Sequence, residues 1–142
     1  MKAETAISDD WLTPRRFAAF LAVFVLASWP QVFFGLQTFV FRDFGYYGYP
    51  IAFHLRESFW HGEIPLWNPL SYCGSPFLAQ WNTQVLYPLN LFYVLLPLSW
   101  SLAVFCLLHL YLGGFGMFFL ARRWTGNSLA AAVAGIAFAF SG

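Results

Sequence analysis

Two long apolar runs, separated by a polar segment, constrain the fold of this chain more than any other feature. The first run extends from Phe17 to Phe41 and the second from Trp100 to Ala121. Each is long enough to cross a bilayer as a helix, which takes about 20 residues. The segment between them, residues 41–84, is rich in Trp, Pro, Asn and Gly and holds several of the charges. The pattern predicts membrane helices on either side of a polar segment that carries the chemistry.

Composition supports a membrane protein. The chain is 60% hydrophobic and only 9% charged, with a mean hydropathy of +0.61, whereas soluble domains carry about 25% charged residues. Aromatic residues make up 23% of the chain, and Trp and Tyr favour the membrane–water interface. The net charge is +1 and no basic stripe is present, so the sequence predicts no nucleic-acid partner.

We therefore predict an all-α fold, a polytopic transmembrane helix bundle with an extracytoplasmic loop that carries interfacial helices. The predicted parts, in chain order, are a cytoplasmic tail (1–13), transmembrane helix 1 (14–41), an external loop (42–98) with interfacial helices at about 50–61 and 88–97, transmembrane helix 2 (99–121), a cytoplasmic turn (122–127) and the start of transmembrane helix 3 (128–142). The last segment is short, so we expect the chain to be the N-terminal part of a longer protein.

Local signals place several helix boundaries. Thr13 before Pro14 is typical of a helix start, with Thr as the N-cap and Pro at the first helical position. Pro30 lies inside the first apolar run and is expected to kink the helix. Asn127 or Ser128 is expected to cap the last helix. That helix carries small residues at i, i+4 and i+8, which permit close helix contact in lipid: Ala131, Gly135 and Ala139.

The basic residues predict the topology. Lys2, Arg15 and Arg16 precede the first run, and Arg122 and Arg123 follow the second. The positive-inside rule places both groups in the cytoplasm, so the loop between them is predicted to be extracytoplasmic. Residues 85–98 are bounded by prolines and too short between them to cross. The first run is too long for a cleavable signal and should remain as an anchor.

Asp43, beside Arg42, stands just past the outer end of the first predicted span. An acid at the membrane surface suits a general base, a metal ligand or an acceptor of sugar hydroxyl groups. The alternative is a solvated residue that ends the helix and pairs with Arg42. Arg56 is a candidate for binding phosphate, against the alternative of a solvated or headgroup-bound arginine.

A second group of polar residues lies on the predicted helix 50–61. His54, Glu57 and His61 fall at i, i+3 and i+7, a spacing that suits metal ligands. A surface helix has a polar face in any case, and that simpler interpretation stays open.

Two Trp–Asn pairs lie in the loop, Trp67–Asn68 and Trp81–Asn82. An aromatic face beside an amide suits a sugar, which is bound by stacking and hydrogen bonds. Trp is equally typical of an interface anchor.

Several short motifs together resemble the start of the YfhO family of bacterial membrane proteins. The motifs are Arg42-Asp43, Gly62-Glu63-Ile64-Pro65-Leu66-Trp67-Asn68-Pro69, Gly74-Ser75-Pro76, Tyr87-Pro88, His109-Leu110 and the final Gly135-Ile136-Ala137-Phe138-Ala139-Phe140-Ser141-Gly142. The resemblance covers about residues 41–142. Members of this family are much longer and have a dozen or so spans.

The YfhO family in turn resembles the GT-C glycosyltransferases, multi-span enzymes that use a polyprenyl-phosphate sugar donor. The resemblance implies that Asp43 activates the acceptor or binds a metal near the donor phosphate. Arg42 and Arg56 are the candidate residues for binding that phosphate. GT-C enzymes have an acid after the first span, and here Asp43 is the single one. A second acid, if needed, would be Glu57 or Glu63 or would lie beyond Gly142.

These inferences predict a glycosyltransferase in the bacterial cytoplasmic membrane. It would transfer a sugar from the polyprenyl-phosphate donor to a cell-envelope glycopolymer or lipid-linked acceptor, and membrane lipid would surround it. A divalent metal cofactor is left open. The alternatives are a non-catalytic transporter or flippase subunit of polysaccharide assembly and a polymer-binding protein without turnover. A transporter should hold its polar groups at mid-membrane, whereas here they gather at the predicted outer surface.

Overall fold

The computed structural model describes residues 11–141, and the chain is mostly helical, at 68%. Residues 1–10 of the predicted cytoplasmic tail and Gly142 lie outside the described residues. The elements are α1 (Pro14–Ser28), α2 (Pro30–Phe33), a π-helical turn (Phe44–Gly48), α3 (Tyr49–Trp60), β1 (Trp67–Asn68), β2 (Ser75–Pro76), 3₁₀ turns at Trp81–Thr83 and Pro88–Asn90, α4 (Leu91–Leu95), α5 (Leu98–Thr125) and α6 (Ser128–Phe140).

The chain divides into two compact units. Unit 1 comprises Met1–Pro30 and Leu107–Gly142, and unit 2 comprises Gln31–Cys106. Because Leu107 lies within α5, the first turns of this helix belong to unit 2 and the remainder to unit 1.

In unit 1, α1 begins where the sequence predicts. The hydroxyl oxygen of Thr13 accepts a hydrogen bond from the Arg16 backbone N–H at 3.3 Å, and Pro14 occupies the first helical position. This cap satisfies one of the donors that a helix N-terminus leaves free. The buried face of α1 consists of residues four apart: Phe17, Leu21 and Val25. The Phe17 ring stacks on the ring of Phe118 in α5, with 4.2 Å between the centroids.

Helices α5 and α6 approach closely at two glycines. A Cβ at Gly114 would lie 2.7 Å from the Ala139 Cβ and 2.9 Å from the Gly135 carbonyl oxygen, and a Cβ at Gly135 would lie 2.8 Å from the Gly114 carbonyl oxygen. Ala131 and Ala139 on the same face of α6 are buried. The small-residue face predicted from the sequence is therefore the contact face of α6.

The turn between α5 and α6 is short. Gly126 has φ +65°, a left-handed conformation that favours glycine at a helix end, and its N–H bonds to the Arg122 carbonyl at 3.0 Å. The Asn127 side-chain oxygen then accepts from the N–H groups of Leu129 and Ala130, which confirms Asn127 as the N-cap of α6.

The predicted polytopic transmembrane bundle is wrong. Among residues 11–141, one helix, Leu98–Thr125, is long and apolar enough to cross a membrane. The predicted first span, residues 14–41, is interrupted: α1 ends at Ser28, and Pro30 starts the separate four-residue helix α2. Proline has no N–H to donate and clashes with the preceding turn, so here it ends the helix instead of kinking it.

The length of α1 explains why it fails as a span. Fifteen residues at about 1.5 Å each fall short of the roughly 30 Å hydrocarbon core. Helix α6 has 13 residues in the described part of the chain. Part of the apolar composition that predicted several spans instead forms the contacts of Phe17 and its buried neighbours within unit 1.

Unit 2 has a core of its own. The core residues come from α3, the segment after β2, α4 and the first turns of α5: Ala52, Leu55, Phe77, Val85, Tyr93, Val94, Leu98 and Leu102. Two side-chain hydrogen bonds fasten the segment after α2 to the start of α5. The Trp100 indole N–H donates to the Phe33 carbonyl at 2.8 Å, and the Thr38 hydroxyl donates to the Ser99 carbonyl at 2.6 Å.

The close approach of α5 and α6 gives a stability prediction. We expect Gly114→Ala to destabilise the protein by about 1–3 kcal/mol, since overpacking a tight contact costs this much. Gly116 lies on the same helix and a Cβ there meets nothing within 4 Å, so Gly116→Ala should be neutral or stabilise by up to about 1 kcal/mol. Denaturant unfolding in detergent micelles measures both. Equal effects of the two substitutions would show that the glycine contact is not tight.

Tyr93 gives a prediction for alkaline stability. Burial raises the pKa of the Tyr93 phenol above its ordinary value of 10.0, because the charged form is disfavoured inside the protein. The unfolded chain ionises first, so this stabilisation is present below pH 10 and declines as the pH rises further, by up to about 1.4 kcal/mol per pH unit. Tyr93→Phe should flatten the decline. The exposed Tyr72 is the control, and an equal effect of Tyr72→Phe contradicts the assignment.

Candidate functional site

The candidate site lies in unit 2, where three turns surround a concave surface. The cavity has a volume of about 230 Å³. Its lining is aromatic, aliphatic, hydroxyl and amide: Tyr46, Tyr47, Pro50, Ile51, Asn68, Ser71, Tyr72, Ser75, Phe77, Gln80 and Thr83. No Asp, Glu, Lys or Arg belongs to this lining, so among the described residues it presents a neutral polar surface.

The first wall is the π-helical turn Phe44–Gly48. The Tyr46 N–H bonds to the Arg42 carbonyl at 3.1 Å, and the turn leads directly into α3. Single π turns occur frequently at functional sites. This one places Tyr46 and Tyr47 side by side at the cavity, with Tyr46 88% exposed.

The second wall is the hairpin β1–β2, in which Trp67 pairs with Pro76 and Asn68 pairs with Ser75. The buried Asn68 side chain organises its loop. Its oxygen accepts from the Leu70 N–H at 2.9 Å and its amide donates to the Ser71 hydroxyl at 3.0 Å. This is the local side-chain to backbone bonding that favours Asn in turns.

Three consecutive residues of the hairpin loop have positive φ: Tyr72 at 52°, Cys73 at 60° and Gly74 at 108°. A Cβ at Gly74 would lie 2.7 Å from the Trp67 ring, so the indole covers this glycine closely. Tyr72 is held at the loop tip, 92% exposed, and faces the cavity.

The third wall is the segment that leads into the 3₁₀ turn Trp81–Thr83. The Gln80 amide donates to the Pro76 carbonyl at 2.6 Å. The buried Thr83 hydroxyl lies within hydrogen-bond distance of two carbonyls, those of Phe77 at 2.9 Å and Gln80 at 2.7 Å. The Asn82 amide donates to the Tyr47 hydroxyl, which ties this turn to the π-helical turn.

Asp43 precedes the π-helical turn and is exposed. Its side chain makes no capping hydrogen bond. It does not line the cavity, but it is three residues before Tyr46, which does. Arg42 is also exposed and has φ 55°. The role of Asp43 stays a prediction.

Arg56 projects from α3 over its neighbour Trp60, with its guanidinium carbon 4.1 Å from the ring centroid. The arrangement is a cation–π contact. Its Nε is buried and has no hydrogen-bond partner in the described part of the chain. Neither Arg42 nor Arg56 lines the cavity, so phosphate binding by this pair also stays a prediction.

In each of the two histidines with metal-ligand spacing, one ring nitrogen lies within hydrogen-bond distance of a backbone carbonyl oxygen. His54 Nε2 lies 3.2 Å from the Trp67 carbonyl oxygen, and His61 Nδ1 lies 2.7 Å from the Glu57 carbonyl oxygen. Glu63 is exposed, and its backbone N–H bonds to the Ser58 carbonyl. Residues 11–141 contain no group of three His, Cys, Asp or Glu side chains placed to hold a metal ion. The divalent metal that the sequence left open therefore stays a prediction.

Of the four residues predicted to bind sugar, Asn68 lines the cavity and Asn82 contacts its Tyr47. Trp67 covers Gly74, and Trp81 is 91% exposed on the outside of its turn. Four residues of the lining were not predicted from the sequence: Tyr46, Tyr47, Tyr72 and Gln80. The pattern Gly45-Tyr46-Tyr47-Gly48 was the available signal, since two tyrosines between glycines combine aromatic faces with hydroxyl groups.

Comparison with known proteins adds no relative. A scan of the chain against protein-family models, a search of curated proteins and a search of solved structures each return no match.

Proposed function

We propose that this chain takes part in glycosyl transfer at a bacterial cytoplasmic membrane, with the cavity of unit 2 as the sugar site. The donor would be a polyprenyl-phosphate sugar and the acceptor a cell-envelope glycopolymer or lipid-linked glycan. The observation that carries the proposal is the uncharged cavity with tyrosine, amide and hydroxyl groups on its walls.

The chemistry of the lining suits a sugar ring. The faces of Tyr46 and Tyr72 offer stacking surfaces for the C–H face of a pyranose. The hydroxyl and amide groups of Ser71, Ser75 and Gln80 both donate and accept hydrogen bonds, as a sugar's hydroxyl groups require. The lining holds no cation, so it suits the uncharged sugar ring, and the phosphate of the donor would lie outside the cavity. A few placed polar groups within an aromatic and aliphatic wall are typical of small-molecule sites.

Helix α5 supports a site at the membrane. The first turns of α5 contribute Leu98 and Leu102 to the core of unit 2, and α5 is the helix long and apolar enough to cross a membrane. A sugar carried on a membrane lipid would reach a site built on the end of such a helix. One anchoring helix is enough to hold the site at the membrane in this way.

In the proposed transfer, an acceptor hydroxyl oxygen forms a bond to the anomeric carbon of the donor. The bond from that carbon to the phosphate oxygen breaks, and the polyprenyl phosphate leaves with the electron pair. Asp43, next to the turn that carries Tyr46 and Tyr47, accepts the proton of the acceptor hydroxyl.

The cavity makes a direct binding prediction. The double variant Tyr46→Ala, Tyr72→Ala should weaken binding of a short-chain prenyl-phosphate hexose by about tenfold or more, because each stacking contact contributes about 0.5–1.5 kcal/mol. Isothermal titration of the protein in detergent micelles measures the change. Trp81→Ala is the matched control, since Trp81 is equally exposed but outside the cavity, and it should bind as the wild type does. A loss confined to Trp81→Ala would place the sugar elsewhere.

A second prediction separates transfer from binding. Asp43→Asn should reduce sugar transfer in membranes by roughly a hundredfold or more, since Asn cannot accept a proton, while donor binding stays unchanged. Radiolabel transfer from a polyprenyl-phosphate hexose, with titration of the same preparation, measures both. Retained transfer would exclude Asp43 as the base. Donor binding without transfer in the wild type would favour the transporter or flippase subunit.

A further inference from the structure

A long part of this chain carries no formal charge. Between Glu63 and Arg122 the sequence contains no Asp, Glu, Lys or Arg. Soluble domains carry about one charged residue in four, so a stretch of this length without any is not typical of a surface in water. The stretch includes α5 as far as Ala121, but it also includes residues 64–97 of unit 2, which do not belong to that helix.

Residues 78–95 expose large apolar side chains along this uncharged stretch. Leu78, Trp81 and Leu86 flank an open groove of about 330 Å³, with Trp81 91% and Leu86 86% exposed. Further along, Leu91 and Leu95 lie one turn apart on α4, and both are exposed, Leu95 at 72%. Large apolar side chains exposed in such number along one segment indicate a site of interaction with a partner or a membrane. We refer to residues 78–95 as the apolar edge.

Several backbone groups of the apolar edge are paired within the unit. The Tyr87 N–H bonds to the Gln84 carbonyl at 2.8 Å, and the Asn90 N–H bonds to the Tyr87 carbonyl at 3.0 Å. The Asn90 side chain, 2% exposed, donates to the Gln84 carbonyl. Thr83 bonds to carbonyls in the same way.

The apolar edge continues directly into the candidate membrane helix. Only Leu96 and Pro97 separate α4 from α5, and Leu98 at the start of α5 is packed in the core of unit 2. The exposed residues Leu91 and Leu95 therefore lie within a few residues of the point where the chain would enter the bilayer. Aromatic residues such as Trp81 and Trp100 are those that favour the interface.

We propose that the apolar edge is seated in the interfacial layer of the lipid bilayer, with Trp81, Leu86 and Leu95 inserted among the lipids. The partner is the lipid surface itself. Because the edge carries no charge, insertion depends on apolar burial and not on anionic headgroups. The inference rests on α5 as an anchor and is independent of whether the cavity binds a sugar.

Spin-label accessibility tests the proposal. Cys73→Ser and Cys106→Ala remove the native thiols, and single cysteines are then introduced by Trp81→Cys, Leu86→Cys, Leu95→Cys and Glu63→Cys. Position 63 is the aqueous control, because Glu63 is exposed and is the last charge before the uncharged stretch. Each labelled protein is reconstituted in phosphatidylcholine vesicles. Relaxation by lipid-soluble oxygen is compared with relaxation by a water-soluble nickel chelate.

We expect labels at 81, 86 and 95 to be relaxed by oxygen at least threefold more than by the nickel chelate, and the label at 63 to show the reverse. The contrast should persist when a third of the lipid is phosphatidylglycerol and when salt is raised to 1 M. If the labels at 81, 86 and 95 behave as the label at 63 does, the apolar edge faces water and the proposal is wrong. Protection from both reagents would overturn it in favour of a protein partner or a second copy.

A second measurement keeps both native cysteines, so it does not depend on the folding of the cysteine variants. The difference in fluorescence between the wild type and Trp81→Phe isolates the Trp81 emission, and lipids brominated near the headgroup should quench it by half or more. An unquenched Trp81 in the otherwise native protein contradicts insertion.

Discussion

The structure of unit 2 depends on the way α5 begins. Leu98 and Leu102, in the first turns of this helix, pack against Leu55 and Phe77 in the core of the unit, and the carbonyl of Ser99 and the indole of Trp100 hold the segment that leads towards Asp43. A fixed helix start of this kind helps to position the cavity, because Phe77 of the cavity lining belongs to the same core and Ile51 of the lining packs against it.

The sequence predicted features that depend on neighbouring residues. Thr13 caps α1 and Asn127 caps α6, since capping involves a side chain and the backbone two or three positions away. The contact face of α6 was predicted from the spacing of its small residues, because helix periodicity places them on one side. Prediction from the sequence failed where the structure of a segment depends on residues distant in the chain. Nothing within residues 14–41 indicates that Phe17 finds a ring of α5 to stack on, and such packing explains apolar residues without a membrane.

The cavity, too, was predicted only in part from the sequence. Trp–Asn pairs drew attention to residues with suitable chemistry, and Asn68 indeed lines the cavity. Trp81 also has an aromatic face beside an amide, but it is exposed and does not line the cavity. The aromatic side chains in the lining are instead tyrosines such as Tyr46 and Tyr72. What decides between them is backbone conformation: a π-helical turn at Phe44–Gly48 and three consecutive positive-φ residues in the hairpin loop. Propensity does not predict positive φ at Tyr72 or Cys73, which are not glycine, so the tertiary structure must impose it.

The position of Asp43 limits what the proposed site can do. The carboxylate of Asp43 is exposed and lies outside the neutral cavity. Asp43 comes directly before the π-helical turn and three residues before Tyr46. If Asp43 is the base, its place beside the cavity leaves room for a donor sugar inside the cavity and an acceptor at its rim. Separating the two in this way is consistent with transfer between large, lipid-linked substrates, of which only the reacting rings need to enter the site.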